Sequence, residues 1–344
     1  MQRHIAFPEI GQFNNVCKNV SEFTSYDGRD ADGKIIRNYS RPKPTIKFTG
    51  TVKLHGTNAG VSYNSVDGIW YQSRSNIITP LSDNAGFAFF AESNKEFFIK
   101  SISKLAEDNN VDLTKFNITV YGEWAGGSIQ KGVGINGMPK RFFVFGAKVS
   151  QIDATEDFKN YWIDYSSIQD NDNGIYNITQ FPVWTIDIDF ENAALSQPTL
   201  SDLTIKVEEE CPVAKFFGVS GIGEGIVWTA YLDNQDLRFK VKGEKHSSSK
   251  VKTLAPVDIE KLNSVKEFVE YALTKSRFDQ AIQSVFGIDQ GVDDKRFGEV
   301  LKWLMGDIIK EETETMKNSG IEPKDITSGV AKTARAWFVE IGVN

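Results

Sequence analysis

Residues 45–52 alternate, with Ile46, Phe48 and Val52 apolar among polar neighbours, and this predicts a half-buried strand. Residues 60–73 alternate again around Asp67-Gly68, which predicts a hairpin turning there. Over 83–108 the period changes. Phe97, Phe98, Ile102 and Leu105 make a helical stripe, and Ser93 with Glu96 fits a capping box. Phe89 and Phe90, just ahead of it, read as core. Strands return at 118–124 and at the Phe- and Val-rich 141–149. A further strand starts at Gly223-Glu224-Gly225-Ile226-Val227-Trp228, and Asp233-Asn234 turns the chain. Residues 237–242 then alternate strictly: Leu237, Phe239 and Val241 face a core, while Arg238, Lys240 and Lys242 share the other face.

Elsewhere the pattern is weaker. Residues 1–43 are polar and read as irregular, with turns at Gly28, Gly33, Pro42 and Pro44. Residues 150–200 are acidic and hold short strand-like pieces without recognisable chemistry. After Ala255-Pro256 the helical period takes over in three stripes: Leu262, Val265, Val269 and Leu273; Phe297, Leu301, Leu304 and Ile308; Val330, Ala334, Trp337 and Ile341. Gly287 and Gly320 stand where helices could end. The expected class is α+β, with an antiparallel-sheet domain over 1–255 and a small all-α domain over 257–344.

Composition narrows the function. The chain has 344 residues, 40% hydrophobic and 25% charged, which suits a globular protein with a sizeable core. It holds no apolar run of about 18 residues, and Met1-Gln2-Arg3-His4 leads into no signal-like segment, so neither a membrane span nor export is expected. Cys17 and Cys211 are the two cysteines; they read as reduced cytosolic thiols and exclude a Cys-rich zinc site. A net charge of −7 argues weakly against a nucleic-acid partner, but its distribution argues the other way. Arg238, Lys240, Lys242, Lys245, Lys250 and Lys252 cluster against Glu244, and the stretch 29–47 is also basic.

Candidate chemistry starts at Lys53-Leu54-His55-Gly56-Thr57-Asn58. A lysine at a strand end can act as a nucleophile once its amine is deprotonated, which desolvation and neighbouring cations favour. Gly56 would let backbone approach a ligand closely. Lys-x-x-Gly alone proves nothing, because the chain contains seven. What singles out Lys53 is an ordered set downstream: Arg74 in Ser-Arg-Ser, Glu123 in Tyr-Gly-Glu-Trp-Ala-Gly, Phe145 in Phe-Phe-Val-Phe, Glu224 in Gly-Glu-Gly-Ile-Val, and Lys240 with Lys242 in Lys-Val-Lys. Two lysines on one strand face repel each other unless an anion such as a polyphosphate lies between them. Taken singly, Arg74 reads as a surface arginine, Glu123 as a strand-end ion-pair partner, Phe145 as core, and His55 as a hydrogen-bonding support.

Together these motifs resemble the covalent nucleotidyltransferases, and within them the RNA ligase 2 family of phage and RNA-editing ligases. His55, and Ile129-Gln130-Lys131 close behind Gly-Glu-Trp-Ala-Gly, carry that narrower resemblance. It implies an ATP-grasp-like ligase adenylation domain and an ATP-dependent joining of RNA 3′-hydroxyl and 5′-phosphate ends, chiefly at duplex nicks, through lysyl-AMP and adenylylated RNA. It implies Lys53 as nucleophile, Lys240 and Lys242 on the nucleotide phosphate, and Glu224 on a divalent metal, Mg²⁺ or Mn²⁺. Val52, Leu54, His55, Asn58, Arg74, Glu123, Phe145 and Val227 would line the nucleotide, with Phe145 stacked on adenine. A cytoplasmic monomer with RNA as partner is the corresponding expectation. Three positions depart from the family pattern: Val52 stands for a frequent glutamate, Gly146 for an acid, and Thr229 for a lysine. The alternatives are an ATP-dependent DNA ligase or other polynucleotide nucleotidyltransferase, and an inactive RNA-binding module.

Overall fold

The computed structural model describes residues 2–83, 85–153, 158, 160–232, 235–243, 265–286, 293–318 and 320–341. The chain divides into two units. One gathers Met1–Gly11, Ile46–Asp187 and Glu209–Lys240; the other gathers Gln12–Thr45, Ile188–Glu208 and Val241–Asn344. The class is α+β, with antiparallel sheets and a helical C-terminal region.

The alternating positions build the strands. The chain runs α1 (Phe13–Thr24), β1 (Tyr26–Arg29), β2 (Ile35–Arg37), β3 (Thr45–Lys53), β4 (Thr57–Asn64), β5 (Gly68–Ser73) and β6 (Ile77–Ile78). It continues through α2 (Phe87–Ser93), α3 (Lys95–Asp108), β7 (Phe116–Ala125), β8 (Arg141–Gln151), β9 (Tyr161–Ile163), β10 (Ile175–Asn177) and β11 (Val183–Asp189). Then come α4 (Gln197–Glu209), α5 (Pro212–Phe216), β12 (Gly225–Leu232) and β13 (Gln235–Lys242). The tail holds α6 (Val265–Ala272), α7 (Lys275–Phe286), α8 (Phe297–Asn318) and α9 (Pro323–Glu340).

Two sheets position the site. The larger runs β10-β8-β7-β4-β5-β6, with β9 also on β8; β10 pairs β8 in parallel and the other pairings are antiparallel. One face packs Val61, Tyr71, Val120 and Phe142 against Phe87, Phe98, Ile102 and Leu105 of α2 and α3. The smaller sheet runs β11-β3-β12-β13. In β3 Ile46, Phe48, Gly50 and Val52 are buried, and in β13 Leu237, Phe239 and Val241 are buried, so the expected alternation holds in both.

Other expectations shift. The 1–43 region is not irregular throughout: Phe13, Val16 and Val20 bury one face of α1, and β1 and β2 form a hairpin. The 83–108 segment is two helices. Ser93 is no cap there, because its hydroxyl donates to the Phe89 carbonyl (2.9 Å), and the break falls at Asn94. Phe89 is 68% exposed rather than core, while Phe90 packs against the α2–α3 cluster. The β4–β5 turn is longer than two residues. Asn64 pairs with Gly68, and the Asn64 side-chain oxygen accepts from the Val66 and Asp67 amides. Gly68 there has φ +73°, which favours glycine. The 150–200 segment adds the start of α4 to its short strands.

In the tail, Val269, Leu273, Leu304, Ile308, Val330 and Ala334 are buried in one cluster. Val265 and Ile341, at or beyond helix ends, are 37% and 38% exposed. Gly320, two residues past α8, has φ +64°. The expected boundary at Ala255-Pro256, the Asp233-Asn234 turn, Leu262, Gly287, Lys245, Lys250 and Lys252 lie outside the described residues. Among the described residues no helix is long and apolar enough to cross a membrane.

Candidate active site

Strand pairing brings Lys53 to Glu224. Lys53 ends β3 and lies opposite Gly225 on β12, so the residue before Gly225 arrives beside the lysine side chain. Lys53 Nζ donates to Glu224 Oε2 at 2.7 Å, and His55 Nδ1 lies 3.4 Å from the same oxygen. Glu224 is 2% exposed and Lys53 20%, so the carboxylate is buried and the amine is partly open to solvent. Burial pulls the Lys53 amine down, but the Glu224 and Glu123 carboxylates outweigh it and hold its pKa above the ordinary lysine range. The sequence-based expectation of a depressed amine is therefore reversed in this state: Lys53 is a protonated ammonium held by the Glu224 carboxylate.

Residues 54–56 carry the chain from one sheet to the other, and Glu123 anchors that crossing. Glu123 on β7 lies opposite Asn58 on β4. Its Oε1 accepts from the Gly56 amide at 2.9 Å, while Gln130 Nε2 donates to the Gly56 carbonyl at 3.3 Å. Gly56 is needed for space. A β-carbon there would lie 2.5 Å from the Trp124 carbonyl oxygen and 2.8 Å from Ala125 Cβ. The backbone of β7 itself comes close to Gly56. Gly56→Ala should therefore push the 54–56 crossing away from β7 and cost about 3 kcal/mol, read as a lower denaturant midpoint.

Burial pushes the Glu123 carboxyl up to about 7; the Lys53 cation lowers it, and Glu224 adds to the rise. A carboxyl whose folded pKa is raised costs stability once ionised. That cost grows as pH climbs from the ordinary carboxylate range, about 4.3, towards 7. Glu123→Gln keeps an acceptor oxygen for Gly56 but cannot ionise, so its stability should fall less over this window than the wild type's. Parallel urea titrations from pH 5 to 8 measure the difference; identical slopes would count against a buried, titrating Glu123.

The other expected site residues fall into place unevenly. Val52 and Leu54 are buried either side of Lys53, Val52 pairing with Ile226. Val227, opposite Thr51, and Asn58 are half-buried. Arg74, just past β5, is exposed, and its charge opposes the Lys53 ammonium. Phe145 sits at a bulge in β8: Tyr121 pairs with Gly146 but Gly122 with Val144, which leaves Phe145 out of register. Bulges re-aim side chains near functional sites. Lys240 and Lys242 are half-buried on β13, beyond β12 from β3, and the Lys240 amide donates to the Gly11 carbonyl at 3.0 Å. Arg238, on the same strand face, is not available for phosphate in the way the alternation implied. It pairs with Asp236 at 2.7 Å and lies 3.9 Å over the Trp162 ring.

Sequence reasoning missed two supports. Gly134 donates to the Ile222 carbonyl at 2.8 Å, and a β-carbon on Gly221 would lie 2.4 Å from Gly134 Cα, so the glycine-rich loop 126–134 between β7 and β8 braces the approach to Glu224. The N-terminal segment straps onto β5. Gln72 Oε1 accepts from the Ile5 amide and Gln72 Nε2 donates to the Ile5 carbonyl, at 3.0 and 2.6 Å. The glycine run 132–134 was visible in the sequence; nothing periodic marked residues 2–7.

These elements define a lysine–carboxylate site on an α+β scaffold. The sequence profile of the family described as RNA ligase matches residues 46–242, more than half of the chain. The chain belongs to the RNA ligase family. No curated protein matches it. Solved structures similar to it include Naegleria gruberi RNA ligase with PPi, at 20% identity and TM-score 0.42, covering 70% of this chain and 56% of that one. A mutant of that ligase with ATP and Mn is 20% identical with TM-score 0.43, covering 70% and 57%. Another, with AMP and Mn, is 19% identical with TM-score 0.42, covering 70% and 56%. The chain thus spans little more than half the length of these relatives.

Proposed function

We propose that the protein is an ATP-dependent RNA ligase working through a covalent AMP on Lys53. The observation that carries this reading is the Lys53–Glu224 contact at 2.7 Å, on a turn locked by Gly56 and Glu123, inside the span matched to the RNA ligase family. Lys53 must first give up its proton, and Glu224 Oε2 is the acceptor within reach. The free amine then attacks the α-phosphorus of ATP, forming a P–N bond as the bond to the bridging oxygen breaks and pyrophosphate leaves. An oxygen of the RNA 5′-phosphate next displaces the lysine, and an RNA 3′-hydroxyl displaces AMP to seal the strand. Such phosphoryl transfers depend on positioning and charge neutralisation. Lys240 and Lys242 supply positive charge from β13. Arg74 and Glu123 contact the ribose or the 5′-phosphate, Asn58 lies near the AMP phosphate, backbone at Val52 and Leu54 borders the adenine, Val227 lines the nucleotide, and Phe145 stacks on the adenine.

A divalent cation, Mg²⁺ or Mn²⁺, suits Glu224. Its carboxylate is a hard oxygen donor, and Mg²⁺ is commonly held by one or two carboxylates plus substrate phosphates. Among the described residues no cluster of three or more His, Cys, Asp or Glu side chains could hold a metal alone, so Glu224 would share the ion with phosphate oxygens. When bound, the ion neutralises phosphate charge.

In this reading the protein acts as a cytoplasmic monomer, and the helical tail widens its grip on duplex RNA. The substrate test is a nicked duplex with 3′-hydroxyl and 5′-phosphate ends. A protein can tell RNA from DNA by A-form geometry and the 2′-hydroxyl. Replacing the last few nucleotides of the 3′-hydroxyl strand by DNA should slow sealing by roughly 10-fold, as loss of a hydrogen-bonded hydroxyl can. The same replacement on the 5′-phosphate strand should matter less, since that strand need only present its phosphate. Equal sealing of an all-DNA nick would point to a DNA ligase instead.

A further inference from the structure

Phe145 does not stand alone. Its ring meets Phe7 edge-on, with centroids 5.1 Å apart. Phe7 also meets Tyr121 edge-on at 5.2 Å and Trp162 at 5.5 Å. Arg238 closes the cluster, 3.9 Å over Trp162 and 5.2 Å from Phe7, its charge balanced by Asp236. Phe7 thus sits at the centre of three rings and a guanidinium, at the end of a segment that is itself pinned down.

The pinning is dense. Trp70 Nε1 donates to the Arg3 carbonyl at 3.0 Å, and the Tyr121 hydroxyl donates to the Ile5 carbonyl at 2.7 Å. With the two Gln72 bonds, the backbone of 3–5 is held by side chains of β5 and β7. Gln72 is 1% exposed and Tyr121 fully buried, so these partners are fixed in the sheet. The same sheet carries the β8 bulge at Phe145.

Gly146 ties the cluster to the sequence. A β-carbon there would lie 3.1 Å from Trp162 Cζ3 and 3.9 Å from Phe7 Cε2. The space next to Phe145 that a side chain at 146 would need is taken by Trp162 and bordered by Phe7. A glycine at 146 and aromatic rings at 7 and 162 fit one another.

We propose that Phe7 is a positioning residue for the nucleotide site: packed through the N-terminal strap, it holds the Phe145 ring in the orientation that stacks on the purine of ATP. This rests on the reading of Phe145 as the adenine platform. Phe7 acts through Phe145 and takes no part in the chemistry at Lys53. Edge-to-face ring pairs contribute enough that losing a cluster of them weakens a site appreciably. Removing the ring should therefore raise the ATP concentration needed for half-maximal adduct formation, while the plateau rate at saturating ATP stays near that of the wild type.

The experiment measures the initial rate of protein–AMP formation against ATP concentration in full-length wild type, Phe7→Ala, Phe7→Leu, Phe7→Tyr, Phe145→Ala and the Phe7→Ala/Phe145→Ala double variant. The half-saturating ATP concentration should rise about 10-fold in Phe7→Ala, as for about 1.4 kcal/mol of lost binding. Phe7→Leu should rise nearly as much, because it keeps apolar volume without the ring, and it carries the test if Phe7→Ala fails to fold. Phe7→Tyr should restore the wild-type value. In the Phe145→Ala background, removing Phe7 should add almost nothing, whereas a general structural role would still add its full cost. Unchanged ATP dependence in both Phe7→Ala and Phe7→Leu, with adduct formed in all, would overturn this inference alone. So would an additive double variant. Absence of adduct in the wild type would instead overturn the ATP reading on which it rests.

Discussion

Lys53→Ala should form no covalent AMP adduct at any ATP concentration, because it removes the amine that ends β3 2.7 Å from Glu224. The structure also predicts a stability cost. Glu224 is 2% exposed and loses the ammonium 2.7 Å away. Removing one partner of a buried pair costs several kcal/mol; Lys53 is 20% exposed, so about 2 kcal/mol is the discounted expectation. Lys53→Arg separates the two effects, since it keeps a cation for Glu224 but offers no free amine at neutral pH. It should be nearly as stable as the wild type and equally without adduct. Denaturing electrophoresis after incubation with labelled ATP, beside urea unfolding, reads both quantities. Persistent labelling of Lys53→Arg would remove Lys53 from its role.

Glu224→Gln should lose at least about 100-fold in adduct formation, the scale seen when a charge-stabilising group is removed from a polar site. The expected direction is informative because two effects oppose each other. Glu224 is the main carboxylate holding the Lys53 pKa up, so its amide should release the amine at lower pH and favour attack. The amide also removes the anionic oxygen that would share a divalent cation with the substrate phosphates. We expect the second effect to dominate and higher metal concentration to restore part of the rate. Faster labelling of Glu224→Gln at neutral pH would mean that Glu224 only restrains the amine.

The parts of this architecture that could be read in advance are those with a period. β3 and β13 alternate in the sequence because one face of each is buried, and the stripes of α8 and α9 mark the tail core for the same reason. The order Lys53, Glu123, Glu224 was legible as a set, and the pairing of β3 with β12 explains why distant residues meet. Features fixed by single contacts were not legible. Asn94 breaks a helical stripe that looks continuous, because the polar faces of α2 and α3 give no sign of the turn. α1 rests on Phe13, Val16 and Val20 within a polar stretch. The strap at residues 2–7 is held by side-chain-to-backbone bonds, which follow no repeat. The close approach of β7 to Gly56 is a tertiary contact that no repeat announces. Arg238 shares its strand face with Lys240 and Lys242 in the sequence, yet it is paired with Asp236 and stacked on Trp162. The departure at Val52 has a plain cause: that side chain is 3% exposed, where an unpaired glutamate would be costly.

The most direct measurement is to incubate the wild-type protein with α-labelled ATP and Mg²⁺, digest it, and map the modified peptide. The account predicts a single adenylylated peptide carrying AMP on Lys53, with the label discharged onto 5′-phosphorylated RNA when a nicked duplex is added before digestion. Label on another lysine, or no label under conditions where the protein is folded, would contradict it.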